Sequence, residues 1–309
     1  LGALAGCNRT PEKYYERGMK ALDEKDYKTA SVFFRSAIKK NQRFGEAYWK
    51  LGEAELRDEN IRNGIGALRR AVELMPGRPE PANMLGETLL AIHTLQKQKD
   101  PEILKDVDQL AKTLLQKDQK SYEGLRMEGL LSMLHSDMPM AIEKFRLAIQ
   151  SDPKRPEAPF ALTQALAASN QFQEAESIGK DIIEKNPTYL EAYRFLIKLY
   201  ASQKRIPEIE ALLAKRTEKN PNNSQARLEQ AAFYISSNQK DKEEQILNEI
   251  IARKADFPNG PMEVGDFYFR LQVYDRAEKL YTQGAAQDQK KADEYRLRVI
   301  QVKLAQNKA

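Results

Sequence analysis

The sequence predicts an all-α fold in which antiparallel helix pairs stack into a solenoid. Three observations predict it: similar residues recur every 34 positions, small residues recur at fixed places within that period, and prolines recur near its end. A period of this length holds two short amphipathic helices, which bury their apolar faces only against neighbouring pairs. The composition agrees with thin amphipathic helices, since 31% of the residues are charged. The apolar share of 41% is too large for a disordered chain.

The segment that starts at Tyr48 shows the period most clearly. Its recurring residues are Tyr48, Leu51, Gly52, Gly64, Leu68, Ala71 and Pro76. This pattern resembles the tetratricopeptide repeat (TPR), a helix–turn–helix unit of 34 residues. The resemblance implies a right-handed superhelix of antiparallel helix pairs, in which the first helix of each pair lines a concave groove.

The period divides most of the chain into eight predicted repeats followed by part of a ninth. The repeats are 11–44, 45–78, 79–121 with an insertion, 122–155, 156–189, 190–223, 224–257 and 258–291. Residues 292–309 match only the first helix of a ninth, truncated repeat.

Each recurring residue type has a mechanical reason. A small residue in the first helix lets the second helix approach closely; these are Gly18, Gly52, Gly86, Gly129, Ala231 and Gly265. A small residue near the start of the second helix faces the first; these are Ala30, Gly64, Ala141, Ala175 and Ala277. Pro76, Pro153, Pro187 and Pro221 end second helices, because proline lacks a backbone donor and restricts the residue before it.

Local departures interrupt this pattern in the second half of the chain. Thr163 and Ile197 replace the small residue of the first helix, and Ile209 and Glu243 replace that of the second. We therefore expect repeats six and seven to pack more loosely or differently.

The third repeat carries nine extra residues. We expect a lengthened first helix or a loop through Gln96–Asp100, followed by a new helix that starts near Pro101. A tolerated insertion at a loop tip and a loop that contacts a partner both fit this segment.

The chain starts with a short apolar stretch that ends at its single cysteine. Leu4-Ala5-Gly6-Cys7 resembles the bacterial lipobox, where a signal peptide is cut before a cysteine that then carries lipid. The resemblance implies that residues 1–6 are the tail of a signal peptide and that residues 7–10 are a lipidated cysteine and its tether. It also implies attachment to a membrane, with Asn8 fitting delivery to an outer membrane that faces the periplasm. The alternatives are an expression scar or a chance match.

The last segment, residues 292–309, also looks unfinished. Its apolar residues are distributed nearly all round the predicted helix, whereas a terminal capping helix has a polar outer face. We expect the natural protein to continue beyond Ala309.

Several functional classes lack their sequence signals. The net charge of +5 is modest for 309 residues, and the pattern is not that of a nucleic-acid-binding protein. His93 and His135 stand in different repeats without metal-ligand spacing, and there is no phosphate-binding glycine loop or GxSxG motif. We therefore expect no enzyme, no metal and no cofactor.

The TPR resemblance assigns groove positions, because the second, fifth, ninth and twelfth residues of each repeat point into the groove. The predicted groove residues are Tyr15, Met19, Trp49, Glu53, Asn83, Glu87, Arg126, Leu130, Phe160, Gln164, Arg194 and Lys198. Trp49 follows the structural residue Tyr48 and turns about 100° from it, either into the groove or onto the neighbouring repeat. Arg126, Arg194 and Lys198 suit an acidic or carboxylate ligand.

These observations predict a non-enzymatic, lipid-anchored TPR scaffold that binds protein or peptide partners in its groove and assembles a bacterial envelope complex. The resemblance extends to lipoproteins of secretion, pilus and exopolysaccharide export systems. Two other hypotheses stay open: a soluble cytoplasmic TPR adaptor or regulator, and the recruitment region of a larger enzyme. The sequence leaves self-association undetermined.

Overall fold

A computed structural model of the chain describes residues 10–95 and 100–306. Within these residues the chain forms seventeen α-helices and no strand. The helices are α1 (Pro11–Asp23), α2 (Tyr27–Lys40), α3 (Gly45–Arg57), α4 (Ile61–Leu74), α5 (Pro79–Leu95), α6 (Pro101–Lys117), α7 (Tyr122–Leu134), α8 (Met138–Ser151), α9 (Glu157–Ala168), α10 (Phe172–Lys185), α11 (Leu190–Ser202), α12 (Ile206–Lys219), α13 (Ser224–Ser236), α14 (Lys240–Ala252), α15 (Gly260–Arg270), α16 (Tyr274–Gln287) and α17 (Ala292–Gln306).

The chain divides into two compact units, one up to Ala175 and one from Glu176 onwards. In each unit, odd-numbered helices are the first members of helix pairs and even-numbered helices the second. In the first unit, apolar clusters lie within and between successive pairs, as where Leu68 of α4 packs with Leu85 of α5. In the second unit, one cluster joins the helices from α13 to α17.

Most first helices end in the same way. The residue after the helical cap has a left-handed backbone, with φ between 56° and 63°, although none of these residues is glycine. The next backbone N–H then bonds to a carbonyl five residues earlier, as from Asp26 to Ala21 at 2.9 Å. This Schellman closure stops the helix and turns the chain back, so that the second helix runs antiparallel to the first. The residues are Lys25, Glu59, Ser136, Asn170, Lys204, Asn238 and Gln272.

The recurring small residues mark the places where paired helices approach most closely. Gly18 of α1 faces the fully buried ring of Phe34 on α2, and Gly129 of α7 faces Phe145 of α8 in the same way. In the second pair, Gly52 and Gly64 lie opposite each other, so that the backbones of α3 and α4 pass close together. Any side chain at these positions would enter space that the partner helix already occupies.

At the departures from the pattern, larger side chains fill the space between helices. Ile209 is buried at the start of α12. Glu243 is also buried, and its carboxylate accepts a hydrogen bond from the Tyr268 hydroxyl at 3.4 Å. These positions therefore pack differently from the alanines that they replace.

The third pair and the last helix differ from the rest. α5 and α6 each have 17 residues, whereas most of the other helices have 13 or 14. Of the insertion, residues 96–99 lie outside the described part of the chain, and so do residues 307–309. On α17, Leu297, Ile300 and Leu304 are more than half exposed and form one apolar strip.

Candidate partner-binding face

In each unit, the candidate site is the face that its first helices form. First helices of successive pairs lie side by side, with contacts between α1 and α3, between α5 and α7, and between α7 and α9. In the second unit α13 contacts α15 in the same way. All twelve predicted groove residues lie on first helices, so that those of one unit share a common side of their repeats.

Trp49 is half-buried and lies at the amino-terminal end of this face. Its ring packs against the apolar cluster that includes Leu68 of its own repeat and Leu85 of the next. On the indole face, the Lys50 ammonium lies 4.1 Å and the Arg78 guanidinium 5.2 Å from the ring centroid. The indole Nε1 is buried without a hydrogen-bond partner. The ring therefore lies against the apolar cluster and beside two cations, and its contact with a partner stays a prediction.

Tyr15, Met19 and Glu53 surround the same end of the face. Tyr15 packs against the rings of Phe34 and Phe44, with centroid distances of 5.7 and 5.2 Å. Met19 packs against the apolar cluster that includes Phe34. Burial raises the pKa of the Tyr15 phenol above its usual value, and nearby carboxylates, including that of Glu53, add to the effect.

Arg126 forms the centre of a second polar group. Its guanidinium donates to the Glu87 carboxylate at 2.6 Å and to the Asn83 amide oxygen at 3.0 Å, both on α5. The side chain of Arg126 is 8% exposed, whereas that of Glu87 is 49% exposed. Three predicted groove residues thus come together, but the arginine is already bonded, and an arriving carboxylate would have to compete with Glu87.

The remaining predicted residues differ in their exposure. Leu130 and Phe160 are half-buried and Gln164 is exposed in the first unit. In the second unit, Arg194 and Lys198 are both exposed on α11, and neither pairs with another described side chain. Since i and i+4 residues lie on one helix face, the two cations form a free basic pair. Partner binding by all twelve residues stays a prediction.

Sequence reasoning missed the arginines in the turns between repeats. Arg78 forms ion pairs with Glu46 at 3.0 Å and with Glu80 at 3.2 Å. Arg155 pairs with Glu123 and Glu157 in the same arrangement. The signal was present, because both arginines close their repeats and glutamate occupies the second position of six successive repeats: Glu12, Glu46, Glu80, Glu123, Glu157 and Glu191.

A groove of about 620 Å³ is lined by residues of α6, α7 and α8. Pro101 and Leu104 line it beside the insertion, and Met140 lies on the opposite wall. Two further lining residues form an ion pair, with the Lys144 ammonium 2.7 Å from the Glu128 carboxylate. If the insertion contacts a partner, this neighbouring groove is where we expect that contact.

Cys7 and the rest of residues 1–9 lie outside the described residues, and so does most of Gln96–Asp100. None of the described helices is both long and apolar enough to cross a membrane. In the same part of the chain, no three histidine, cysteine or acidic side chains gather as metal ligands would. His93 is buried on α5 and His135 is exposed at the end of α7.

The comparisons with known proteins agree with this architecture. The family model described as tetratricopeptide repeat matches residues 167–226. No curated protein matches the sequence. Among solved structures, yeast Tom70 has a TM-score of 0.63 at 13% identity, and the match covers 99% of this chain and 67% of that one.

Two further structures show the same fold. A thermophilic TPR protein from Thermus thermophilus has a TM-score of 0.52 at 16% identity, over 62% of this chain and 100% of that one. The Cut9–Hcn1 hetero-tetramer of APC/C has a TM-score of 0.56 at 14% identity, over 77% of this chain and 42% of that one. Together with the helix pairs described above, these matches identify the fold of the chain as an all-α TPR solenoid.

Proposed function

We propose that this protein is a non-enzymatic scaffold that binds a protein or peptide partner through the first helices of its repeats. The observation that carries the proposal is the composition of the first helices: in the first unit Trp49 lies beside two cations, and in the second unit Arg194 and Lys198 pair with no other described side chain. Aromatic and arginine side chains contribute most to binding energy at protein interfaces. A hetero-tetramer of two different proteins, Cut9 and Hcn1, is among the structures with a similar fold.

Site-specific photo-crosslinking tests the proposal in cells. A photo-reactive amino acid at Gln164, which is exposed on a first helix, should give a defined adduct with the partner. The same amino acid at Lys279, which is exposed on the second helix α16, is the control and should give none. Trp49→Ala and Arg194→Glu should each lower the Gln164 adduct at least about ten-fold, since interface anchors contribute about 2 kcal/mol or more. Equal adducts from both positions, or adducts unchanged by the two substitutions, would refute the assignment of this face.

We further propose that Cys7 carries lipid and that the scaffold assembles a bacterial envelope complex for secretion, pilus formation or exopolysaccharide export. The lipobox-like sequence before the first repeat supports this proposal. The test is the intact mass of the mature protein, expressed with its native upstream sequence, beside the Cys7→Ala variant. A diacyl or triacyl increment on a chain that starts at Cys7 is expected. An uncut chain with an unmodified thiol would instead favour a soluble adaptor.

A further inference from the structure

The net positive charge of this protein comes from its amino-terminal end. Residues 1–44 carry ten basic and five acidic side chains, whereas residues 45–309 carry forty of each. The whole net charge of +5 therefore belongs to the first repeat and the segment before it. Within that region, residues 27–44 carry five basic side chains and no acidic one, so the excess is on α2 and the turn after it.

The basic side chains of this segment lie on the outside of the fold. We define the α2 surface by six exposed residues: Lys28, Val32, Arg35, Lys39, Lys40 and Arg43. Lys28, Val32 and Lys39 follow one another at helical spacing and so share one face of the helix. Val32 is 61% exposed in the middle of this row. Of the acidic groups on neighbouring helices, the buried Glu55 carboxylate on α3 faces the surface, where it pairs with Arg35 at 2.9 Å.

No other regular repeat has basic residues at all five basic positions of this surface, so the TPR fold does not require the combination. The position of Lys39 is occupied in the other regular repeats by neutral or acidic residues: Glu73, Gln150, Glu184, Glu218, Ala252 and Ala286. Lysines in the last turn of a helix are favoured by the helix dipole, but that effect acts equally on every second helix. A helix-end explanation therefore does not account for the difference between repeats.

The carboxyl end of the α2 surface lies where the chain enters the first repeat. The ring of Phe44, directly after Arg43, packs at 5.2 Å against Tyr15 in α1. In the sequence, Cys7 precedes α1 by only four residues. A lipid on Cys7 would therefore hold this end of α2 within a few residues of a bilayer, since each residue spans at most about 3.5 Å.

We propose that the α2 surface binds the anionic headgroups of a lipid leaflet. Lysine and arginine side chains near an anionic membrane each strengthen binding about five-fold. Their stems lie along apolar material while their charges reach the headgroups, which suits the exposed Val32 between them. The position of the surface beside the membrane rests on the proposed lipid anchor, but its chemistry does not depend on that lipid.

Vesicle binding by the chain without lipid tests the inference. The Cys7→Ala protein is mixed with phosphatidylcholine vesicles that contain either no phosphatidylglycerol or a large fraction of it, and the bound fraction is measured by sedimentation. Binding is expected only to the anionic vesicles, and salt raised to about 0.5 M should abolish it by screening. A triple variant, Lys28→Gln, Lys39→Gln and Arg43→Gln, should lower the partition coefficient by roughly 100-fold at low salt.

A matched control separates this surface from net charge. Lys240→Gln, Lys254→Gln and Lys279→Gln remove the same three charges from exposed positions in the second unit and should leave vesicle binding within about two-fold of the parent. Equal losses in the two triple variants would overturn the inference, and so would binding to polyglutamate without binding to the vesicles. Since the Cys7→Ala protein has no cysteine to carry lipid, failure of this experiment would not affect the mass test of the anchor. Far-ultraviolet circular dichroism checks that both variants are folded.

Discussion

Two glycines in the second helix pair should respond in opposite ways to the same substitution. Gly66 is exposed in the middle of α4, and a methyl group added there meets no atom within 4 Å. Gly52 is buried in the middle of α3, where the same methyl group would lie 2.6 Å from Leu68 Cγ and 3.2 Å from the Gly64 carbonyl oxygen. Both backbones are helical, so both substitutions gain the same helix propensity.

The magnitudes follow from these distances. Alanine in a helix interior is favoured over glycine by about 1 kcal/mol, so Gly66→Ala should raise the free energy of unfolding by about that amount. At Gly52 the same gain is opposed by overpacking, which costs about 1–3 kcal/mol. Because the carbonyl oxygen belongs to the backbone and cannot rotate away, we expect the upper part of that range. Gly52→Ala should therefore lower the free energy of unfolding by about 1–2 kcal/mol.

Urea denaturation followed by circular dichroism measures both changes. The slope of the transition must stay constant across the variants, because stacked repeats unfold cooperatively only while their interfaces hold. A double variant, Gly52→Ala with Leu68→Ala, should show a coupling of more than about 0.5 kcal/mol, since Leu68 supplies the nearest clash. If Gly52→Ala stabilised the protein as much as Gly66→Ala, the close crossing of α3 and α4 would be refuted.

Three other predictions concern single side chains. Lys204→Gly should raise the free energy of unfolding by about 0.5–1 kcal/mol in urea titrations, because it removes a side chain from a left-handed backbone with φ of 58°. The Arg205 guanidinium holds the pKa of Glu176 at about 2, against an ordinary 4.5. The contribution of this ion pair to the free energy of unfolding is therefore complete above about pH 4.5 and is lost as the pH falls towards 2. Glu176→Gln should therefore cost about 1–2 kcal/mol at about pH 7, after solvent screening, and little at about pH 2.5, as acid titration of unfolding will show. Glu87→Gln should cost about 1–2 kcal/mol, because it leaves the buried Arg126 without its carboxylate, and a cycle with Arg126→Met measures their coupling.

The fold was predictable because its determinants recur at one spacing. Each small residue, such as Gly18 against Phe34, repeats one contact between paired helices, so several weak signals add up to one architecture. The left-handed turn residues show where this reasoning stops. Lys25 and Glu59 adopt a conformation that favours glycine, and composition alone does not reveal it, because the Schellman hydrogen bonds of the turn impose it.

The site was less predictable, because a residue's position within a repeat does not fix its partner. Arg126 and Arg194 both occupy the fifth position of their repeats, and the sequence assigns both to ligand capture. Arg126 meets Glu87, which is the ninth residue of the preceding repeat, and that carboxylate draws the arginine into a buried pair. Arg194, on α11 in the second unit, is exposed and forms no ion pair with another described side chain. For Arg126, availability to a ligand therefore depends on a carboxylate that the preceding repeat supplies, and its own repeat does not reveal that partner.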